Sequence, residues 1–157
     1  APLPEPSLAS LLVHLARPWQ LGVLLVRRGG FAVAWVVGPE IAEAKTGQRH
    51  VQGRTKAGGW SQQRFARRRD NQARAAFDAA AGHVARILGP LAASLDLITT
   101  GGDRQAVDTV LAARELASLA ELPRLWIGPV ADPRRGVLEE AVQRARSLEI
   151  TLTDPTA

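Results

Sequence analysis

At 157 residues with 46% hydrophobic content, the chain has the size of one domain built on a single core. It holds no cysteine, which excludes a disulfide framework, a thiolate metal site and a cysteine nucleophile. The net charge of +5 conceals an asymmetry: between positions 45 and 74 nine cations face the single acid Asp70, a net of +8, while the remainder carries 11 basic and 14 acidic residues, a net of −3. One concentrated cationic segment on a slightly acidic body is the pattern of a protein that meets a polyanion at one place.

No apolar run reaches the ~18 residues of a membrane span, and the N-terminus lacks the charged-then-apolar layout of a secretion signal. A cytoplasmic location without a membrane partner is expected. His14, His50 and His83 are scattered, with no neighbour at metal-ligand spacing, so no metal is expected. Only Lys45 and Lys56 are lysine among 20 cations. That arginine bias is associated with GC-rich bacterial genomes, an association that carries no mechanism.

In chain order, the three prolines at positions 2, 4 and 6 disfavour regular structure, and Ser7 is a suitable N-cap for a short helix to about Ala16. Residues 1–20 therefore read as an N-terminal segment packed on the edge of a single domain spanning 21–157. Residues 22–28 and 31–37 are β-rich runs joined by Gly29-Gly30, a hairpin signal. In the second run Phe31, Val33, Trp35 and Val37 alternate with smaller residues and should form its core face. Residues 41–46 and 49–55 flank Gly47-Gln48 and read as a second, more polar hairpin projecting from the body.

Lys56 to Trp60 break that pattern, and Ser61 is positioned to cap a helix from about Gln62 to Leu88. Phe65, Ala73, Ala76, Phe77, Ala80, Val84 and Ile87 fall on one side of this helix, with Arg64, Arg67, Arg68 and Asn71 opposite. Arg69 falls on the apolar side, so the first two turns should extend beyond the core. The last third alternates strand (95–100), helix (103–119), strand (124–128), helix (132–148) and a short strand (150–152). Asp103 and Asp132 are suitable N-caps, and Pro133 suits a first helical position. The expected fold is α/β, with a mixed sheet that opens in antiparallel hairpins and ends in strand–helix alternation.

Familiar catalytic templates fail. There is no GxxxxGK[ST] loop, GxGxxG turn, GxSxG elbow or HExxH pair. Gly101-Gly102-Asp103 reads as a tight turn and cap in preference to a phosphate site. Glu40, Glu43 and Asp96, the strand-associated carboxylates, are too sparse for a Mg²⁺-dependent nuclease.

What remains is the stretch from Lys56 to Asn71. Gly58 and Gly59 allow the backbone into a crowded space, a glutamine amide offers one acceptor and two donors, and the arginines that follow can hold phosphates. Arg54, Lys56, Arg64, Arg67, Arg68 and Arg69 are the candidate RNA-binding cations. Trp60 either stacks on a base or anchors the loop to its own domain, and both readings stay open.

This layout of paired strands, glycines, a nearby glutamine and a basic helix resembles the catalytic middle domain of archaeal and eukaryotic class-one release factors, whose signature is Gly-Gly-Gln. It is more closely similar to the Vms-like release factors, and within them to an actinobacterial branch. The matching residues are Lys56, Gly58, Gly59, Trp60, Ser61, Gln62 and Arg64, and Trp60-Ser61 turns the strict signature into GxxQ.

The resemblance implies a ribonuclease-H-like topology and a peptidyl-tRNA hydrolase that cleaves the ester between a nascent chain and tRNA. It would act in the peptidyl-transferase centre of the large ribosomal subunit. The partners implied are large-subunit rRNA and peptidyl-tRNA, met by a monomer with no cofactor. Gln62 is the favoured catalytic amide over Gln63, with Gly58 and Gly59 shaping a basic GxxQ loop at 56–69. With no codon-reading domain in these residues, release should be codon-independent, as in ribosome rescue. The alternatives are a non-catalytic RNA-binding module and a nuclease of the tRNA 3′ end.

Overall fold

The computed structural model describes residues 7–48, 59–148 and 151. In chain order it comprises α1 (Leu8–Ala16), β1 (Gln20–Arg27), β2 (Gly30–Val37), β3 (Glu40–Gln48), α2 (Gly59–Leu88), β4 (Leu97–Gly102), α3 (Arg104–Leu111), α4 (Ala117–Ala120), β5 (Arg124–Trp126) and α5 (Arg135–Ala145). The five strands form one mixed sheet of order β3-β2-β1-β4-β5. β1–β2 and β2–β3 are antiparallel, whereas β1–β4 and β4–β5 are parallel. The α/β expectation of hairpins first and crossovers later matches this arrangement.

Both faces of the sheet are covered. Leu24, Val26, Phe31 and Val33 pack under α2 and α3, while Leu21, Val23, Leu25, Ala32, Ala34 and Val36 pack against Leu138, Ala141 and Val142 of α5. The sequence marked only one face of β2 as core. The small residues between the large ones are also buried, because α5 lies across them; Trp35 and Val37 are only half-buried. β1 is apolar from Leu21 to Val26 for the same reason, as strands flanked by helices on both faces usually are. A side chain such as Leu24, taken fully out of water, contributes about 1.5–3 kcal/mol.

The hairpin between β1 and β2 turns at Arg28-Gly29, with Arg27 opposite Gly30. The second expected hairpin is absent at its predicted turn. Gly47 and Gln48 continue β3, pairing with Phe31 and Gly30. Glycine is needed at 47 because a Cβ there would collide with the ring of Phe31, which lies across it. The predicted return strand at 49–55 lies outside the described residues, as does most of the short strand at 150–152.

Capping was anticipated correctly at two sites. Ser7 accepts a hydrogen bond from the Ser10 amide, and Asp103 Oδ1 accepts one from the Ala106 amide at 3.1 Å. At Asp132 it was not. α5 begins at Arg135 without a side-chain cap, and the Asp132 carboxylate lies instead against Gly29. The expected single helix over 103–119 breaks after Leu111 into a 3₁₀ turn and the short α4. None of the nine residues of α1 is buried, so the helix is tethered to the edge without packing into it. Its tether is Arg17, which pairs with Asp96 and lies 4.4 Å over the Trp19 ring, together with Trp19 Nε1–H donating to the His14 carbonyl at 3.1 Å.

Candidate functional site

β1, β4 and β5 all end at the side of the sheet where β2 begins and β3 ends. α2 runs antiparallel to β1: Leu88 at its C-terminal end lies beside Gly22 near the start of β1, and His83 stacks on Phe31 at the start of β2. Its N-terminal part therefore leaves the body beyond the strand ends.

The root of α2 is secured by Ala80, Ala81, Val84, Ile87 and Leu88, all buried. Arg86 Nη1 donates to Glu43 Oε1 of β3 at 2.7 Å. From residue 79 back to residue 62 no side chain is buried. At 1.5 Å per residue, Gln62 stands about 27 Å beyond Ala80 along the axis. The arm anticipated from the charge pattern is thus the projecting half of a 30-residue helix.

The predicted capping at Ser61 and the predicted loop through residue 69 are corrected by this geometry. The helix starts at Gly59, so Gly59, Trp60 and Ser61 form its first turn, and Gln62 through Arg69 are helical. The strong helix formers that follow, among them Gln63, Arg64, Ala66, Arg67 and Arg68, allow the helix to extend that far. Gly58, Lys56 and Arg54 lie outside the described residues.

Gln62, Gln63, Arg64, Arg67, Arg68, Arg69 and Arg74 are all exposed. Among the described residues none of these arginines makes an ion pair; those formed use Arg17, Arg86, Arg124 and Arg135. Asp70 is the only acid between Gly59 and Arg74. No acid occupies the first turn of α2, so the free N–H groups and partial positive charge of that end are not offset locally.

Successive residues of a helix are rotated by about 100°, so Gln62 and Gln63 face different ways. Gln62 shares its side with Ala66, Arg69, Ala73 and Ala80, the same line that becomes core at the root. Gln63 lies on the flank with Arg67, Asp70 and Arg74. Phe65, on the apolar side by its spacing, is 39% exposed. It lies in the first two turns, which Arg69 on the same side marked as extending beyond the core.

Elsewhere the candidates for other chemistry are occupied structurally. Glu43 is held by Arg86, and Asp96 binds both Arg17 and the Gln20 amide, the latter at 2.8 Å. Among the described residues no group of three or more His, Asp or Glu side chains is arranged to hold a metal ion. Gly102 takes φ +105°, its amide donates to the Gly128 carbonyl at 3.0 Å, and Asp103 caps α3. The expected tight turn is thus not formed: Gly101 and Gly102 are the last residues of β4, paired with Leu25 and Val26 of β1, and only Asp103 serves as the expected cap. No described helix is long and apolar enough to cross a membrane.

The geometry is thus a mixed sheet covered on both faces, with one cationic helix carrying glutamines far beyond its core. Over residues 19–151 the sequence matches the family of the Actinobacteria/chloroflexi VLRF1 release factor, and the chain belongs to that family. It is also similar to the crystal structure of the archaeal translation termination factor aRF1, at 16% identity and a TM-score of 0.47, over 81% of this chain and 37% of that one. The chain thus spans little more than a third of that protein's length. No curated protein matches the sequence.

Proposed function

We propose that the protein is a codon-independent peptidyl-tRNA hydrolase that releases nascent chains from stalled large ribosomal subunits in the cytoplasm. The observation that carries this reading is Gln62, an exposed neutral amide on the first turns of a helix that holds it about 27 Å from the protein core amid arginines. A group displayed in this way serves a site outside its own body. Membership of a release-factor family supports taking that site to be the ester between peptide and tRNA, in the rRNA of the peptidyl-transferase centre.

An ester carbonyl needs a placed water and a stabilised oxyanion. In the proposed step Gln62 orients the water, whose oxygen bonds to the ester carbonyl carbon as the bond from that carbon to the ribose oxygen breaks. One water proton ends on the ribose oxygen. Free N–H groups of the first turn of α2 favour the negative charge that develops. Gly58 and Gly59 let the backbone approach, while Lys56, Arg54, Arg64, Arg67, Arg68 and Arg69, with Trp60, engage RNA. The rRNA and tRNA supply the remainder of the site.

The test is peptide release from peptidyl-tRNA bound to isolated large subunits. Gln62→Ala should lower the rate by about 10² or more, the scale of losing one oriented group, with ribosome association nearly unchanged. Gln63→Ala should have a smaller effect, because that side chain lies on the cationic flank. Normal release by both variants would remove the catalytic claim and leave a non-catalytic RNA-binding module, for which the charge of the arm suffices. Loss of an intact tRNA 3′ end during the reaction would indicate nuclease activity instead.

A further inference from the structure

Among the described residues, Phe65 belongs to neither core cluster. It stands 15 residues before Ala80, the first fully buried side chain of α2, or about 22 Å beyond the core along the axis. It is the one aromatic among the exposed large hydrophobics of the described residues; the others, Leu8, Leu12, Val13, Leu15, Leu125 and Leu148, are aliphatic and lie on other parts of the chain. Between Gln62 and Arg74 the only other apolar side chains are alanines. Among the described side chains of this stretch there is no apolar patch for a partner protein, only a single ring among cations.

The neighbours of that ring define a different partner. Side chains three or four apart on a helix are adjacent, at about 5–6 Å between Cβ atoms. Gln62 therefore sits one turn ahead of Phe65, and Arg68 and Arg69 one turn behind. Amide, aromatic ring and the Arg69 guanidinium succeed one another along one side of the arm, at intervals comparable to the reach from a nucleotide's base to its own phosphate. Arg68, about 60° around the axis from the ring and so nearer to it than the opposite face expected from sequence, flanks the ring on its other side. We infer that Phe65 is a stacking platform for an unpaired RNA base, with Arg68 and Arg69 holding the phosphate of the same nucleotide. Stacking on Phe65 would fix the depth to which the arm inserts, and so the placement of Gln62. The ring is a positioning residue and takes no part in bond making. This inference rests on the proposed RNA target, since it takes RNA as the surface that the arm meets.

The test uses the full chain and a short single-stranded RNA oligonucleotide carrying one 2-aminopurine, whose fluorescence falls when its base stacks. Phe65→Leu keeps an apolar side chain and helix propensity but removes the aromatic face, whereas Phe65→Trp preserves that face. Base–aromatic stacking contributes enough that Phe65→Leu should weaken binding about tenfold and abolish the quench. Its salt dependence and melting temperature should match the wild type. Phe65→Trp should bind and quench as well as Phe65 does, and in the release assay Phe65→Leu should lower kcat as well as raise KM, because Gln62 loses its placement along with the stack.

Wild-type binding and quench in Phe65→Leu would overturn the inference. A melting temperature lowered equally in Phe65→Leu and Phe65→Trp would do so too, since it would assign the ring to packing. The catalytic reading fails separately, through normal release by Gln62→Ala, an outcome that leaves the 2-aminopurine result interpretable.

Discussion

Phe31 and His83 stack with ring centroids 5.4 Å apart and planes inclined by 26°, joining the start of β2 to α2 at the level where the helix leaves the body. Burial, then the nearby charges of Lys45 and Arg86, hold the His83 imidazole below its ordinary pKa. Glu43, paired to Arg86, is the acid beside this group. The folded protein thus favours neutral His83, while the unfolded chain takes up its proton at the ordinary value. This contribution to stability is fully present above the unfolded pKa and is lost as the pH falls through the lower folded one. Denaturation midpoints measured across that window should fall with pH, and His83→Gln should flatten the dependence.

Gly47 is a strand residue whose missing side chain leaves room for the Phe31 ring. Gly47→Ala should destabilise the fold by about 1–3 kcal/mol, the usual cost of overpacking. Urea denaturation measures the loss. In a double-mutant cycle Phe31→Leu should recover part of it, because the two substitutions address the same collision.

Gly82 lies inside α2, and an added Cβ would meet nothing within 4 Å. Replacing it with alanine should therefore stabilise the protein by about 1 kcal/mol through helix propensity and a less flexible unfolded chain. A rise in denaturation midpoint at unchanged slope would show this. A fall would mean that the position packs against something outside the described residues.

Arg64, Arg67 and Arg68 are exposed and, among the described residues, unpaired with any acid. Replacing all three with glutamine should weaken binding to large ribosomal subunits and lower the magnitude of the slope of log K against log salt concentration by about two. An unchanged slope would show that these arginines are only solvated.

Much of this architecture was legible in the sequence because local chemistry decides it. Gly29-Gly30 between apolar runs specified a hairpin, Asp103 specified a helix start, and the 3.6-residue rhythm from Ala73 to Ile87 specified the docked face of α2. The errors came where distant parts of the chain decide. Gly47-Gln48 carries turn composition, but its glycine answers to a ring on the adjacent strand. Asp132 has the composition of a cap, yet its carboxylate lies against Gly29. The second buried face of β2 depends on α5, about a hundred residues away in sequence.

The candidate site was legible in part. Charge located the projecting part of α2. Composition did not show that the helix begins at Gly59, because glycine and tryptophan in its first turn give no start signal. Nor did spacing alone show Phe65 to be outside the core, since periodicity records which side of a helix a residue occupies and not where the covering sheet stops.

Among the described residues α2 is buried only toward its C-terminal end, and a long helix held there is a lever. The buried residues at its root, Ala80, Ala81, Val84 and Leu88, set the direction in which Gln62 points, and over the length from Ala80 to Gln62 a tilt of about 10° would sweep the tip through about 5 Å. Aim is therefore decided where the side chains are small and tightly enclosed. A single added methyl group at Ala80 or Ala81 would misdirect the far end without touching it.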